Sequence, residues 1–142
     1  MKKNLGNVAI YLRVANKENN KEDSFIDFQK KEILNYLKKN CKDYKIEYFI
    51  DNGYSGITHK RPGLKDMISK MNKGSFNYVV VYSLDRLYRN ITDYLKISDK
   101  VNFIFVKDNI DTEKDKAFIP IMKFIDEKYI EYRKKEKSIG GE

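Results

Sequence analysis

Tyr78–Tyr82 (Tyr-Val-Val-Val-Tyr) is a run of five apolar residues, too short for a buried helix, with a β-branched centre. Such a run reads as a strand covered on both faces. Val8–Val14, Tyr44–Ile50 and Val101–Val106 are three more short runs of strand character. The stretches between them have helical length and amphipathic spacing. Strands alternating with helices in this way demand a parallel sheet with helices packed on its faces. The expected fold class is therefore α/β, a mostly parallel sheet of four to five strands flanked by helices.

The helix signals are local. Ser24 is placed to cap a first helix, with Asp27 three residues on, and Phe25, Phe28, Ile33, Leu34 and Leu37 form its apolar side as far as Asn40. Asn16–Asp23 is polar and reads as a loop. Asp51-Asn52-Gly53 ends the second strand, and Gly53 and Gly56 give the next loop access to positive φ. Pro62 suits the first turn of a second helix that runs to about Asn72 and closes on Gly74. Ser83–Asn90 leads into a third helix reaching about Lys100. From Lys116, the residues Phe118, Ile121, Ile125, Tyr129 and Tyr132 recur at spacings of three and four, with Pro120 in the first turn. A helix of about 22 residues would span on the order of 33 Å. Packing on its own sheet is the commoner arrangement for a final helix. The alternative is that it outruns the domain and offers its stripe to another subunit. The expected division is 1–115 for the α/β body and 116–142 for this helix of the same domain.

Composition narrows the function classes. The 142 residues carry 29 Lys+Arg against 21 Asp+Glu, a net +8. Cys41 is the one cysteine and there is one histidine, which leaves neither an internal disulfide nor a soft-ligand cluster for zinc. No apolar run approaches the roughly 20 residues a membrane span needs, and no apolar signal core follows Met1–Asn4. The expectation is a soluble cytoplasmic domain with no structural zinc and a polyanionic partner. Arginine occurs only at 13, 61, 86, 89 and 133, so 29 − 5 leaves 24 lysines. A chain that prefers lysine has kept arginine in a few places, as it would where a planar fork must grip a phosphate or carboxylate.

Four of the five arginines fall at or after the carboxyl ends of expected strands, where open α/β sheets bind ligands. Arg13 is penultimate in the first strand, Arg61 follows the second, and Asp85, Arg86 and Arg89 follow the third. Arg86 and Arg89, three apart, would share a helix face near its N-terminus, itself favourable to an anion. Arg13, Arg86 and Arg89 are thus expected to converge on one phosphate. Alternatively, each arginine pairs with a local carboxylate such as Asp51 or Asp85.

Tyr11-Leu12-Arg13-Val14, Asp51-Asn52-Gly53-Tyr54-Ser55-Gly56, Arg61-Pro62-Gly63 and Leu84-Asp85-Arg86-Leu87-Tyr88-Arg89-Asn90, in this order, resemble the signatures of the serine recombinases, the resolvase and invertase family. Gln29 and Ile110-Asp111-Thr112 also match, so the resemblance runs from about Val8 to Glu131. It implies a catalytic domain that dimerises through a long C-terminal helix and forms tetramers on double-stranded DNA. A serine hydroxyl would attack the scissile phosphodiester without metal or nucleotide, forming a phosphoserine linkage. Carried over by position, Arg13, Arg86 and Arg89 would clamp the phosphate and Arg61 would contact it or the adjacent backbone. Asp85 would transfer the proton to the leaving oxygen, and Gln29 and Ser55 would help position the site. Phe118, Ile121, Ile125 and Tyr129 would serve dimerisation, and Arg133 and Lys134, crowded with lysines where the stripe thins, are either a solvated end or an arm contacting DNA phosphates.

One departure outweighs the rest. The family nucleophile directly follows the Arg-Val pair, and here that residue is Ala15. A methyl group cannot attack phosphorus, so the family chemistry is lost as the sequence stands. Ser83 stands where the family often has lysine, Tyr88 where a small residue is usual, and Tyr132 where arginine is expected. The loop after Ala15 also lacks the usual glutamine. These changes fit natural loss of catalysis better than one engineered substitution. A second reading is a non-catalytic module that dimerises with an active partner and regulates it. A third, a flavodoxin-like domain holding a small phosphate ligand, lacks the glycine-rich loop it needs, since Ala15–Asp23 contains no glycine. The chain ends at Gly140-Gly141-Glu142, where family members continue into a DNA-binding domain, so it reads as a catalytic-domain fragment or a standalone relative.

Overall fold

The computed structural model describes residues 2–18, 24–57 and 60–139. Residues 19–23 of the expected loop and Gly140–Glu142 lie outside these. The elements are β1 (Lys3–Val14), α1 (Phe25–Asn40), β2 (Cys41–Asn52), α2 (Pro62–Asn72), β3 (Tyr78–Val81), α3 (Leu84–Leu87), α4 (Ile91–Leu95), β4 (Asn102–Phe105), β5 (Ile110–Asp111) and α5 (Phe118–Ile139).

The five strands form one sheet in the order β2-β1-β3-β4-β5. All neighbours are parallel except β5, which runs antiparallel to β4. The inner strands β1, β3 and β4 are buried on both sides, as their apolar runs require, while β2 at the edge is largely exposed. On one face Val8, Ile10, Leu12, Val80 and Ile104 pack under Ile33 and Leu37 of α1. On the other, Ala9, Tyr11, Val79, Val81, Phe103 and Phe105 pack under Leu64, Met67 and Met71 of α2 and Tyr94 of α4. Successive residues of β1 therefore alternate between two cores.

The ends of α1 and α2 follow the local signals. The Ser24 hydroxyl accepts from the Asp27 backbone N–H, and Pro62 occupies the first turn of α2. β1 begins earlier than expected, because Lys3 and Asn4 pair with Cys41 and Lys42 at the sheet edge. Gly6, at φ 71°, allows the strand to bend there; a Cβ would sit 2.5 Å from the Asn77 side-chain oxygen.

One expectation fails. The single helix expected after the third strand, reaching about Lys100, is two short ones. Tyr88 adopts an extended backbone after α3, and the Asn90 side chain caps α4 by accepting from the Thr92 N–H at 2.9 Å. Arg86 and Arg89 consequently do not share a helix face. Of the two arrangements open for the final helix, only its first turn lies on its own sheet. Phe118 packs against Tyr94 and Phe105, and Asp126 accepts from the Thr92 hydroxyl. Yet Ile121, Phe124, Ile125, Tyr129 and Tyr132 are 42–63 % exposed. Phe118 therefore belongs to the domain's own core, not to the stripe offered outward.

Candidate functional site

The parallel register brings the carboxyl ends of β1, β2 and β3 together: Arg13 lies beside Asp51, and Tyr11 lies between Phe49 and Val81. Arg13 is fully buried. Its Nε donates to the Arg86 carbonyl, Nη1 to that of Tyr54 and Nη2 to that of Asp85, each at 2.8 Å. One guanidinium thus ties the β2–α2 loop and α3 to the end of β1. Burial, then the neighbouring cations Arg61 and Arg86, push this guanidinium down to about 10. Arg89 acts in the same direction. The four arginines of the motifs lie together: Arg61 Nη2 also donates to the Arg86 carbonyl, at 3.3 Å, and Gly56 lies against Arg13 and Arg89.

Arg61 is also interior. Its Nε and Nη2 donate to the Tyr11 hydroxyl at 3.1 and 2.9 Å, and that hydroxyl donates to the Asp51 carboxylate at 2.6 Å. Asp51 also accepts from the backbone N–H groups of Gly63 and Leu64, at 2.7 and 2.9 Å. Gly63 must be glycine for this approach, since a Cβ would stand 2.8 Å from the Ile50 carbonyl oxygen. The Arg61 guanidinium lies between the rings of Tyr11 and Tyr88, 5.2 and 5.3 Å from their centroids. Burial and the Asp51 carboxylate keep Tyr11 protonated, against the opposing pull of Arg61.

The expected pairing of each arginine with a carboxylate is thus largely absent here. Asp51 meets Arg61 only through a hydroxyl, and the Arg86–Asp85 pair is loose at 4.0 Å. Nor do Arg13, Arg86 and Arg89 present three free forks to one phosphate. Arg13 is enclosed among carbonyls, while Arg86 is half-buried with its guanidinium 4.6 Å from the Phe25 ring centroid. Arg89 is exposed, its stem packed close to Gly56. A Cβ on Gly56 would come within 2.8 Å of Arg13 Nη2 and 3.1 Å of Arg89 Cγ. Gly56 therefore keeps the buried and exposed arginines close.

Ala15 is exposed directly beyond β1. Just before it, the Val14 carbonyl accepts from the N–H groups of Gly53 and Tyr54 at 2.9 and 3.0 Å. The Gln29 side-chain amide donates to the Arg13 carbonyl at 3.0 Å from within the core. The Ser83 hydroxyl donates to Asp85. Burial would raise the Asp85 pKa, but this bond and the cations Arg86 and Lys107 lower it overall. The Ser55 hydroxyl accepts from the Ile57 N–H at 3.3 Å. Arg133 and Lys134 lie exposed far along α5, Arg133 over the Tyr129 ring, and the structure does not bring them to the other arginines. Tyr11 and Tyr88 are part of this arrangement without having been expected there, and Asp51, expected as a direct partner of an arginine, joins it through the Tyr11 hydroxyl. The burial of β1 on both faces was the available signal for Tyr11.

Residues 8–140 match the family model Resolvase, N terminal domain. The chain belongs to the resolvase family. This resolvase-family chain is 34 % identical over 74 residues to the transposon Tn917 resolvase of Enterococcus faecalis, covering 49 % of the chain and 39 % of that protein. Its fold matches the N-terminal catalytic domain of TP901-1 integrase with a TM-score of 0.78 and 29 % identity, over 89 % of this chain and 98 % of that one. A resolvase family site-specific recombinase from Streptococcus pneumoniae also matches at 0.78, with 28 % identity over 94 % of both chains. The chain spans less than half the length of the curated relatives it matches. The resolvase-like mixed sheet with a protruding C-terminal helix is thus the fold of serine recombinase catalytic domains. No helix among the described residues is long and apolar enough to cross a membrane.

Proposed function

We propose that this resolvase-family domain is the catalytic domain of a serine site-specific DNA recombinase whose chemistry is silenced by Ala15. The gathering of Arg13, Arg61, Arg86 and Arg89 at the carboxyl ends of three parallel strands carries the reading: Arg13 and Arg61 both bond the Arg86 carbonyl, and Gly56 lies against Arg13 and Arg89. Phosphoryl transfer depends on positioning and on stabilising charge at the phosphate oxygens, and guanidinium groups supply both without a metal. Arg86 and Arg89 meet the phosphate of double-stranded DNA from the surface, while Arg13 and Arg61 hold the loops that carry them. Gln29 fixes the end of β1 and Ser55 the loop beside it. Asp85, held as a carboxylate, accepts a proton and can then deliver it to the leaving oxygen. Arg133 and Lys134 contact backbone phosphates along α5.

In an active member the residue-15 hydroxyl oxygen would bond to phosphorus and lose its proton as the bond to the leaving sugar oxygen breaks, and that oxygen would take a proton delivered by Asp85. Alanine has no lone pair to offer. Ala15→Ser, joined to a DNA-binding module, is expected to give a covalent protein–DNA adduct on a cognate site, detected as a denaturation-resistant shift. No adduct at a verified site would overturn the reading of a merely silenced centre.

The exposed apolar side of α5 supports a second reading, a dimerising module that regulates an active partner and joins its tetramers. Ile121, Ile125 and Tyr129 then carry self-association, joined by Phe124 and Ile130. Sedimentation should find a concentration-dependent dimer that Ile125→Asp weakens; a persistent monomer excludes it.

A further inference from the structure

The loop bearing residue 15 is held from two sides by Glu18. Its backbone N–H donates to the Asn52 side-chain oxygen at 2.8 Å, and the Asn52 amide donates back to the Glu18 carbonyl at 2.7 Å. The two carboxylate oxygens of Glu18 accept from the backbone N–H groups of Phe25 and Ile26, each at 3.0 Å. With Ser24 taking the Asp27 N–H, the first three amides of α1 are satisfied, two by a charge favoured at a helix N-terminus. Gly53, at φ 94°, lets Lys17 pass close to β2: a Cβ there would lie 3.2 Å from that of Lys17. Phe25, whose amide Glu18 holds, in turn carries the Arg86 guanidinium on its ring.

We propose that Glu18 is a positioning residue, locking the residue-15 loop to β2 and α1 and, through Phe25, fixing that loop relative to Arg86. The proposal rests on the recombinase reading for its catalytic meaning, but not for its geometry. Only a group at residue 15 held in line with a phosphate on Arg86 and Arg89 can react, and misplacement by about 1 Å costs on the order of a hundredfold in rate. Glutamine at 18 keeps one acceptor oxygen and loses the charge; alanine loses both acceptors but keeps the Asn52 bonds. The expected order of tightness is therefore glutamate, glutamine, alanine.

Two measurements test this. In a chain carrying Cys41→Ala and Ala15→Cys, a nitroxide on residue 15 should give a hindered electron paramagnetic resonance spectrum. Glu18→Ala should convert it to a mobile one, with Glu18→Gln between them. In the Ala15→Ser protein joined to a DNA-binding module, Glu18→Ala should slow single-turnover adduct formation at saturating DNA by about tenfold or more, with Kd unchanged within about twofold. Unchanged spectra in both variants would overturn the proposal, as would a mobile loop with an unchanged adduct rate. If Glu18→Ala does not fold, Glu18→Gln carries the comparison alone. Failure of Ala15→Ser itself to form an adduct would sink the recombinase reading, while the nitroxide spectra would still decide whether Glu18 positions the loop.

Discussion

Removing one oxygen atom tests the interior frame most directly. Tyr11→Phe deletes the hydroxyl that donates to Asp51 and accepts two N–H groups from Arg61, among side chains at most 2 % exposed. Asp51 would keep its two backbone donors, and Arg61 only the carbonyls of Gly56 and Arg86 at 3.4 and 3.3 Å. Three hydrogen bonds to charged groups are lost, and each contributes about 1.5–3 kcal/mol. Arg61 and Asp51 recover part of this by moving together, so about 3 kcal/mol is expected, in the range for an uncompensated buried charge. With a urea slope of about 2 kcal/mol/M, the unfolding midpoint should fall by about 1.5 M, read by circular dichroism. In a double-mutant cycle with Asp51→Asn the losses should be far from additive, because both break the same network. A loss below about 0.5 kcal/mol, the range of ordinary surface substitutions, would refute the frame.

The Tyr94 hydroxyl lies buried without a hydrogen-bond partner among Phe103, Phe105 and Phe118. Tyr94→Phe should therefore raise stability, by about 1 kcal/mol, and a lower thermal midpoint would reveal a bond that this arrangement lacks. Arg89→Gln should leave stability within about 0.5 kcal/mol while lowering the salt slope of DNA binding by about 0.9. An unchanged slope would remove Arg89 from the phosphate contacts. Lys3 bonds both Asp111 and Glu113. Burial opposes its charge, yet the hydrogen bonds to Glu113, Tyr78 and Asp111 raise its pKa, while the Lys3 bond and charge lower that of Glu113. The lysine's contribution is full below its unfolded value and lost as pH rises through the raised one. That of Glu113 is present above its unfolded value and lost as pH falls through the lowered one. The stability difference between wild type and Lys3→Met should hence stay flat from about pH 5 to about pH 10 and shrink beyond both ends. A steady slope across neutrality would contradict this assignment.

What could be read from the sequence is what short-range chemistry determines. Ser24, Pro62 and Gly74 mark helix ends through groups within a few residues, and β3 needs only its own apolar run. The start of β1 was hidden because Lys3 and Asn4 are polar and find their partners, Cys41 and Lys42, across the sheet edge. The break between α3 and α4 is legible in principle, since Asn90 is a preferred cap, although Leu84, Leu87 and Ile91 stand at helical spacings across it. Arg13 is the instructive residue. Its partners lie 41 to 73 positions away, and no local pattern announces that a guanidinium is bonded to carbonyls. Its place inside a strand covered on both faces does foretell burial, which argues against a free fork. The exposed length of α5 was likewise open, because an apolar stripe is equally compatible with a sheet of the same chain and with another surface.

The same geometry bears on an apparent conflict in the proposed reading, an alanine at the nucleophile position beside arginines that remain. If all four served only the phosphate, losing the nucleophile would remove the reason for each of them together. The frame separates them. Arg13 closes three carbonyls from two segments, and Arg61 closes a tyrosine and, through it, a carboxylate, so both are required for the fold whatever happens at residue 15. Folding makes no comparable demand on Arg89, which is exposed, and only a modest one on Arg86, whose guanidinium rests on an aromatic ring. Their presence beside an alanine is the part that structure leaves to function. It fits a domain that still grips a phosphate without cleaving at it, as a partner that binds DNA alongside an active subunit would.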